Sequence, residues 1–175
     1  MKRIAITGPE SSGKTTLARA LAAHFGVPWV PEFAREYLKD LDRPYVKEDL
    51  LCIAEGQLEA ERRIASGRPS MLVCDTDLLV IRIWSQEKFE RVDPRLEELV
   101  RGTEYHHTLL CKPDLPWEPD PLRENPHDRD RLFGIYEQEL NALGRTYAVI
   151  QGERMERLHR AVHALSSEGE LGSSQ

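Results

Sequence analysis

Short, nearly continuous apolar runs alternate along this chain with stretches in which apolar residues recur at a helical spacing near 3.6. Ile4-Ala5-Ile6-Thr7 is a short β-prone run that stops at Gly8, and from Lys14 the apolar spacing becomes Leu17, Leu21 and Phe25, one stripe of a helix. Pro28-Trp29-Val30-Pro31 predicts a second short strand, placed at an edge because prolines at its two ends do not suit a ladder centre. Glu32-Phe33-Ala34-Arg35-Glu36-Tyr37 continues as helix. Over 46–65, Leu50, Ala54, Leu58 and Ile64 mark a helical face that Gly67-Arg68-Pro69 ends. Met71-Leu72-Val73-Cys74 reads as a buried strand, and Asp75-Thr76-Asp77 then caps an apolar stretch over 78–84 that is too long for a strand and so predicts a buried helix. A shorter helix starts near Asp93-Pro94, and strands follow over 107–111 and 147–150. Between them Phe133, Tyr136, Leu140 and Leu143 restore a helix. The last helix has Met155, Leu158, Val162 and Leu165 as its expected core face.

Strands alternating with helices imply right-handed βαβ crossovers, hence an α/β fold: a three-layer arrangement with a five-stranded, mostly parallel sheet and helices on both faces. Residues 112–128 hold five prolines, at 113, 116, 119, 121 and 126, which rules out regular structure and marks a stiff functional loop. We read 112–131 as a proline-rich lid on a single domain spanning 1–165. The small polar residues of 166–175 are expected to form a disordered tail.

Composition narrows the function. A net charge of −6 repels a polyphosphate backbone over most of the surface, so nucleic acid is not an expected partner, and anion binding must be concentrated at one site. Cys52, Cys74 and Cys111 are an odd set without paired spacing, two of them in apolar runs, as reduced core thiols are. The first apolar run is too short for a signal segment or a membrane span, so the expectation is a cytoplasmic protein without a membrane partner.

Gly8-Pro9-Glu10-Ser11-Ser12-Gly13-Lys14-Thr15 fits the pattern G-x-x-x-x-G-K-[ST], and it does so between a predicted strand and a predicted helix. Glycines allow backbone N–H groups, including those of Glu10, Ser11, Ser12 and Thr16, to converge on phosphate oxygens at a helix N-terminus. Lys14 can reach the β- and γ-phosphates and Thr15 can ligate magnesium. ATP and Mg²⁺ are therefore the expected cofactors. Asp75, at the end of a strand, is a candidate for holding the metal or for general base. Asp77 either contacts substrate or caps the following helix. Glu32, at the end of the second strand, can accept a hydroxyl proton from an acceptor, with Arg35 and Glu36 on the same helical face; a surface ion-pair cluster is the other reading. In the proline-rich segment Trp117 either stacks on a planar ring or anchors the loop on the core. Arg123 and Arg129 are candidates for cations that close over the γ-phosphate, whereas Arg131 suits a solvated charged face.

His159 and His163 have helical i, i+4 spacing but no third ligand, so a solvent-facing pair is expected rather than a metal site. Cys111-Lys112-Pro113-Asp114 only faintly follows a guanine-reading motif, leaving ATP as the expected donor over GTP.

The order Gly8 to Thr15, Glu32-Phe33-Ala34-Arg35-Glu36-Tyr37, Asp75-Thr76-Asp77, and Pro113-Asp114 through Trp117, Asp120 and Arg123 resembles the ribosylnicotinamide kinase domain of the NAD-biosynthesis regulators of the NadR family and its stand-alone relatives. The resemblance runs over about 2–162. It implies a P-loop nucleoside-kinase-like fold and transfer of the γ-phosphate of ATP to the 5′-hydroxyl of nicotinamide riboside. It also implies acceptor contacts by Glu32, Arg35, Asp77, Trp117 and Asp120. The H-x-G-H nucleotidyltransferase signature is missing, so adenylyl transfer is not expected. Pro31 stands where the family pattern has a stacking aromatic. A kinase of another nucleoside or vitamin alcohol, and a non-catalytic ATP-binding regulatory module, are the alternative expectations; the oligomeric state is not legible.

Overall fold

A computed structural model describes residues 1–120 and 127–170. The elements in chain order are β1 (Lys2–Thr7), α1 (Lys14–Phe25), β2 (Trp29–Val30), α2 (Phe33–Lys39), α3 (Lys47–Ala65), β3 (Met71–Asp75), α4 (Leu78–Phe89), α5 (Pro94–Gly102), β4 (His107–Cys111), α6 (Arg129–Ala142), β5 (Tyr147–Ile150) and α7 (Arg154–Glu170). The strands form one sheet in the order β2-β3-β1-β4-β5, and every pairing is parallel. Chain order reverses around β1: the crossover through α1 leads to one side of it and the later strands lie on the other. That switch opens a crevice at the carboxyl edge of the sheet, where open α/β sheets bind ligands.

Strand residues alternate between two packed faces, as the pleat requires. Ile4 and Ile6 of β1, Val73 of β3 and Leu109 of β4 meet Leu17 and Leu21 of α1 and Ala161 of α7. On the opposite face Leu72 and Cys74 pack against Ile64 and Ala65 of α3, while Leu110 meets Leu79 and Ile83 of α4 and Leu132 and Leu140 of α6. Each such buried leucine or isoleucine contributes roughly 1.5–3 kcal/mol relative to solvent exposure. Burial also pushes the Cys111 thiol up to about 11 and the Cys74 thiol well above its ordinary value, so both are protonated near neutral pH.

Two details differ from the sequence pattern. Met155 is 60% exposed, and the fully packed positions of α7 are Arg157 and Ala161. The helix is thus rotated toward a face that carries a charged residue. In addition, α7 continues to Glu170, beyond Leu165 where its apolar periodicity ends. The last five residues, 171–175, and the calls made on them lie outside the described residues.

The turn from β3 into α4 is held by a buried charge pair. Asp77 is the N-cap of α4: its Oδ1 accepts from the Val80 amide at 3.3 Å and from the Thr7 hydroxyl at 2.9 Å, and its Oδ2 accepts from Arg145 Nη1 at 3.0 Å. Arg145 also donates to the carbonyls of Val100 and Thr103 at 2.8 and 3.3 Å, tying α5 to the same turn. Asp77 is wholly buried and Arg145 nearly so, so removing one partner strands the other charge. Asp77→Ala is expected to cost about 3–5 kcal/mol in urea unfolding, against less than about 0.5 kcal/mol for Val149→Ala on the exposed edge.

Candidate functional site

The loop from Gly8 to Thr15 leaves β1 at the crevice. Gly8 has φ 133°, and a Cβ there would lie 2.6 Å from the Cys111 carbonyl oxygen, so only glycine lets β1 end this close to β4. Gly13, at φ 79°, is the N-cap of α1 and offers no side chain to its first turn, which also carries no acidic residue. The turn's N–H groups and the positive end of the helix dipole therefore face the loop hollow without competition from a capping oxygen. Lys14 folds back across the loop, its Nζ donating to the carbonyls of Gly8 at 2.9 Å and Pro9 at 2.8 Å. Ser12 Oγ donates to the Pro9 carbonyl at 2.7 Å and closes the bend. This geometry presents amides and an ammonium group to one small volume, which is what a chain of phosphates requires.

Strand register places Asp75 beside Ile6, two residues before Gly8. Both carboxylate oxygens of Asp75 are buried without a hydrogen-bond partner. Burial raises its pKa to about 6; Glu32 nearby adds to the rise, while Thr15, Lys14 and Arg35 offset part of it. The Thr15 hydroxyl is near enough to lower the Asp75 pKa, although no hydrogen bond of good geometry joins the two. A buried, unsatisfied carboxylate beside a hydroxyl is a hard-oxygen donor set that fits a divalent cation such as magnesium. Among the described residues no group of three or more His, Cys, Asp and Glu is placed to hold a metal ion, so the remaining ligands of such an ion would come from phosphate and water, as magnesium prefers. Thr76, between Asp75 and Asp77, has φ 83°, a strained conformation for a β-branched residue. That kink places Asp75 on the edge of the crevice while Asp77 turns back into the core.

A cavity of about 350 Å³ runs from this loop outward. Gly8, Glu10, Ser11, Ser12, Gly13, Lys14, Thr15 and Thr16 line one end; Glu32, Arg35, Val80, Ile83, Trp84 and Tyr136 line an apolar lobe walled by α2, α4 and α6. Glu32 occupies the N-cap position of α2 yet makes no capping bond. Its Oε2 instead accepts from Arg35 Nε at 2.9 Å, and Arg35 Nη1 reaches Asp120 of the proline-rich segment at 2.9 Å. The same segment is stitched to the phosphate loop: Ser11 Oγ accepts from the Glu118 amide at 3.0 Å. Arg129, the first residue of α6, donates to the carbonyls of Ser11 at 3.2 Å and Leu115 at 3.0 Å and lies over the Trp117 ring, 5.6 Å from its centroid.

The structure thus brings the loop residues, Glu32 and Arg35 to one cavity, with Asp75 just behind it and Asp120 tied to it through Arg35. Trp117 and Asp77 are not among the cavity walls. Arg123 lies outside the described residues. His159 and His163 sit on the exposed side of α7. Sequence reasoning overlooked Trp84 and Tyr136 as cavity walls, because their spacing on apolar helices reads as core. It overlooked Arg157 for the opposite reason: a charged residue on a surface helix reads as solvated.

A family model, the AAA domain model AAA_28, matches residues 3–157, and the chain belongs to that family. It is 25% identical over 138 residues to the trifunctional NAD biosynthesis/regulator protein NadR of Salmonella typhimurium, covering 75% of this chain and 33% of that protein. The chain therefore spans about a third of the length of this relative. Among solved structures, NadR in complex with NR superposes with a TM-score of 0.80 at 24% identity, over 95% of this chain and 51% of that one. Deoxyadenosine kinase from M. mycoides superposes with a TM-score of 0.64 at 15% identity, over 94% and 99%. The fold is that of the P-loop nucleoside and nucleotide kinases. No helix among the described residues is long and apolar enough to cross a membrane.

The raised pKa of Asp75 has a consequence for stability. Between pH 3.8 and about 6 the folded chain keeps a proton that the unfolded chain releases, so this group's contribution to stability declines as pH rises through that window and is constant above it. In metal-free buffer Asp75→Asn should make the protein more stable at pH 7 by up to about 3 kcal/mol, with the gain vanishing near pH 4. Urea midpoints of both proteins across that range measure it; a variant less stable at pH 7 would contradict the buried charge.

Proposed function

We propose that this chain is an ATP-dependent kinase that transfers the γ-phosphate to the 5′-hydroxyl of a small ribonucleoside, nicotinamide riboside in the first instance. One observation carries this reading: the phosphate loop with Lys14 and the carboxylate of Glu32 line a single cavity. A hydroxyl held in the apolar lobe would face both the terminal phosphate and a base. Similarity to NadR, whose structure in complex with NR matches nearly the whole chain, supports the choice of acceptor.

In this mechanism the loop amides and Lys14 orient the β- and γ-phosphates, Lys14 exchanging its two carbonyl partners for phosphate oxygens. Thr15 and Asp75 would hold the magnesium ion of the nucleotide, which when bound supplies charge neutralisation on the phosphate oxygens. Glu32, oriented by Arg35, accepts the hydroxyl proton. As it does so, the acceptor oxygen forms its bond to the γ-phosphorus and the bridging bond to ADP breaks. Arg123 and Arg129 of the segment 112–131 close over the transferred group, Arg129 leaving the Ser11 and Leu115 carbonyls. Trp117 and Asp120 approach the acceptor with the same closure. Asp77 contributes by holding the turn that aims Asp75 rather than by touching substrate.

A second acceptor class is favoured by the likeness to deoxyadenosine kinase and by Pro31 at the position before Glu32: another nucleoside in the same apolar lobe. A panel of nucleosides and vitamin alcohols, with ADP release as the readout in magnesium-ATP, separates the two. Nicotinamide riboside is expected to raise the rate most. Tight ATP binding with no acceptor effect would instead point to a regulatory module. Lys14→Ala should abolish transfer, and Glu32→Gln should lower kcat by about 10²–10⁴-fold while leaving the KM for ATP within a few-fold.

A further inference from the structure

Three loops meet at the end of the cavity away from the acceptor lobe: the phosphate loop, the segment after β4, and the segment after β5. One side chain joins them. Arg157 of α7, 2% exposed, donates from Nε to the Gly152 carbonyl at 2.7 Å, from Nη1 to the Ser12 carbonyl at 2.7 Å, and from Nη2 to the Lys112 carbonyl at 2.9 Å and to Asp114 Oδ1. Asp114 Oδ2 accepts in turn from the Gly152 amide at 2.7 Å. The guanidinium, with its fixed fork of donors, is the one side chain able to serve four acceptors in different directions.

The bond to Ser12 has a direct effect on the phosphate loop. The Ser12 carbonyl and the Gly13 N–H belong to one rigid trans peptide and point in opposite directions. Drawing the carbonyl toward Arg157 therefore fixes the direction of the Gly13 N–H in the phosphate loop. Arg157 itself lines the cavity, as do Leu115 and Pro116 and, beyond β5, Arg154. Glu32 follows β2 whereas these residues follow β4 and β5, on the other side of β1 in the sheet; with the acceptor at Glu32, the nucleoside half of ATP would leave the loop along this wall.

We infer that Arg157 is a positioning residue that couples occupancy of the nucleoside end of the donor site to the orientation of the phosphate loop, so that a nucleoside triphosphate is bound more tightly than the sum of its parts. This rests on the reading that ATP binds the loop, but not on the identity of the acceptor.

The test is a cycle of two changes: ATP against inorganic tripolyphosphate, and wild type against Arg157→Lys, each with magnesium and each Kd measured by calorimetry. Arg157→Lys keeps the charge and loses the fan of bonds. Coupling predicts that wild type prefers ATP over tripolyphosphate, and that the variant reduces this preference about tenfold, by weakening ATP far more than tripolyphosphate. Equal weakening of both ligands, or none, overturns the inference, because a merely structural arginine moves them together. If Arg157→Lys fails to fold, Asp114→Asn, on the exposed rim of the same network, is expected to reduce the preference in the same direction, and an unchanged preference there overturns the inference equally. Wild type binding neither ligand would sink the ATP reading itself, a result distinguishable from loss of coupling alone.

Discussion

Folding buries the Asp75 carboxylate without a hydrogen-bond partner for either oxygen. Its pKa rises accordingly. Near it, the Lys14 ammonium donates to two carbonyls of its own loop. Buried polar groups are ordinarily paired within the fold. Here the carboxylate has no bonded cation and the ammonium donates to neutral acceptors, an arrangement that a polyphosphate with its metal ion would complete from both sides. The energy withheld from folding is thereby available to binding, and the stability of the empty site is lower for it.

The rest of the fold holds that imbalance in place. Parallel register between β1 and β3 fixes Asp75 beside the start of the phosphate loop. The strained Thr76 and the capped, ion-paired Asp77 fix the direction in which the chain leaves. On the other side of β1, the close approach of Gly8 to β4 leaves no room for a side chain at that position. Arg145 and Arg157 perform parallel tasks on the two sides of the sheet: each is a nearly buried guanidinium that gathers backbone carbonyls and one aspartate, and each anchors a strand-end turn at the crevice. The proline-rich segment adds a third anchor through Ser11 and through Arg35, so that the candidate base Glu32 and the phosphate loop are both bound to one stiff strap.

Much of this was legible in the sequence because it rests on local rules. A short β-prone run ending at Gly8, followed by helical apolar spacing from Lys14, announces strand, turn and helix without tertiary information, and similar changes mark the later crossovers. The strand-end position of Asp75 and Glu32 followed from parallel topology alone. What stayed hidden depends on long-range pairing. Arg157 is separated from Ser12 by most of the chain, and nothing local distinguishes it from the exposed arginines around it. Met155 reads as core by its chemistry but is turned to solvent because α7 rotates to bury Arg157 and Ala161. Trp84 and Tyr136 have core spacing, and only the gap between α2, α4 and α6 makes them cavity walls.

The central claim is that the charge of Asp75 is completed by the bound nucleotide and its metal ion. Proton release on binding of magnesium-ATP tests it, measured by calorimetry at pH 6 in buffers of different ionisation enthalpy, for wild type and for Asp75→Asn. At that pH the empty site holds about half a proton. Wild type is predicted to release about half a proton more than the variant; identical proton release, or no heat of binding from well-folded wild type, would contradict the account.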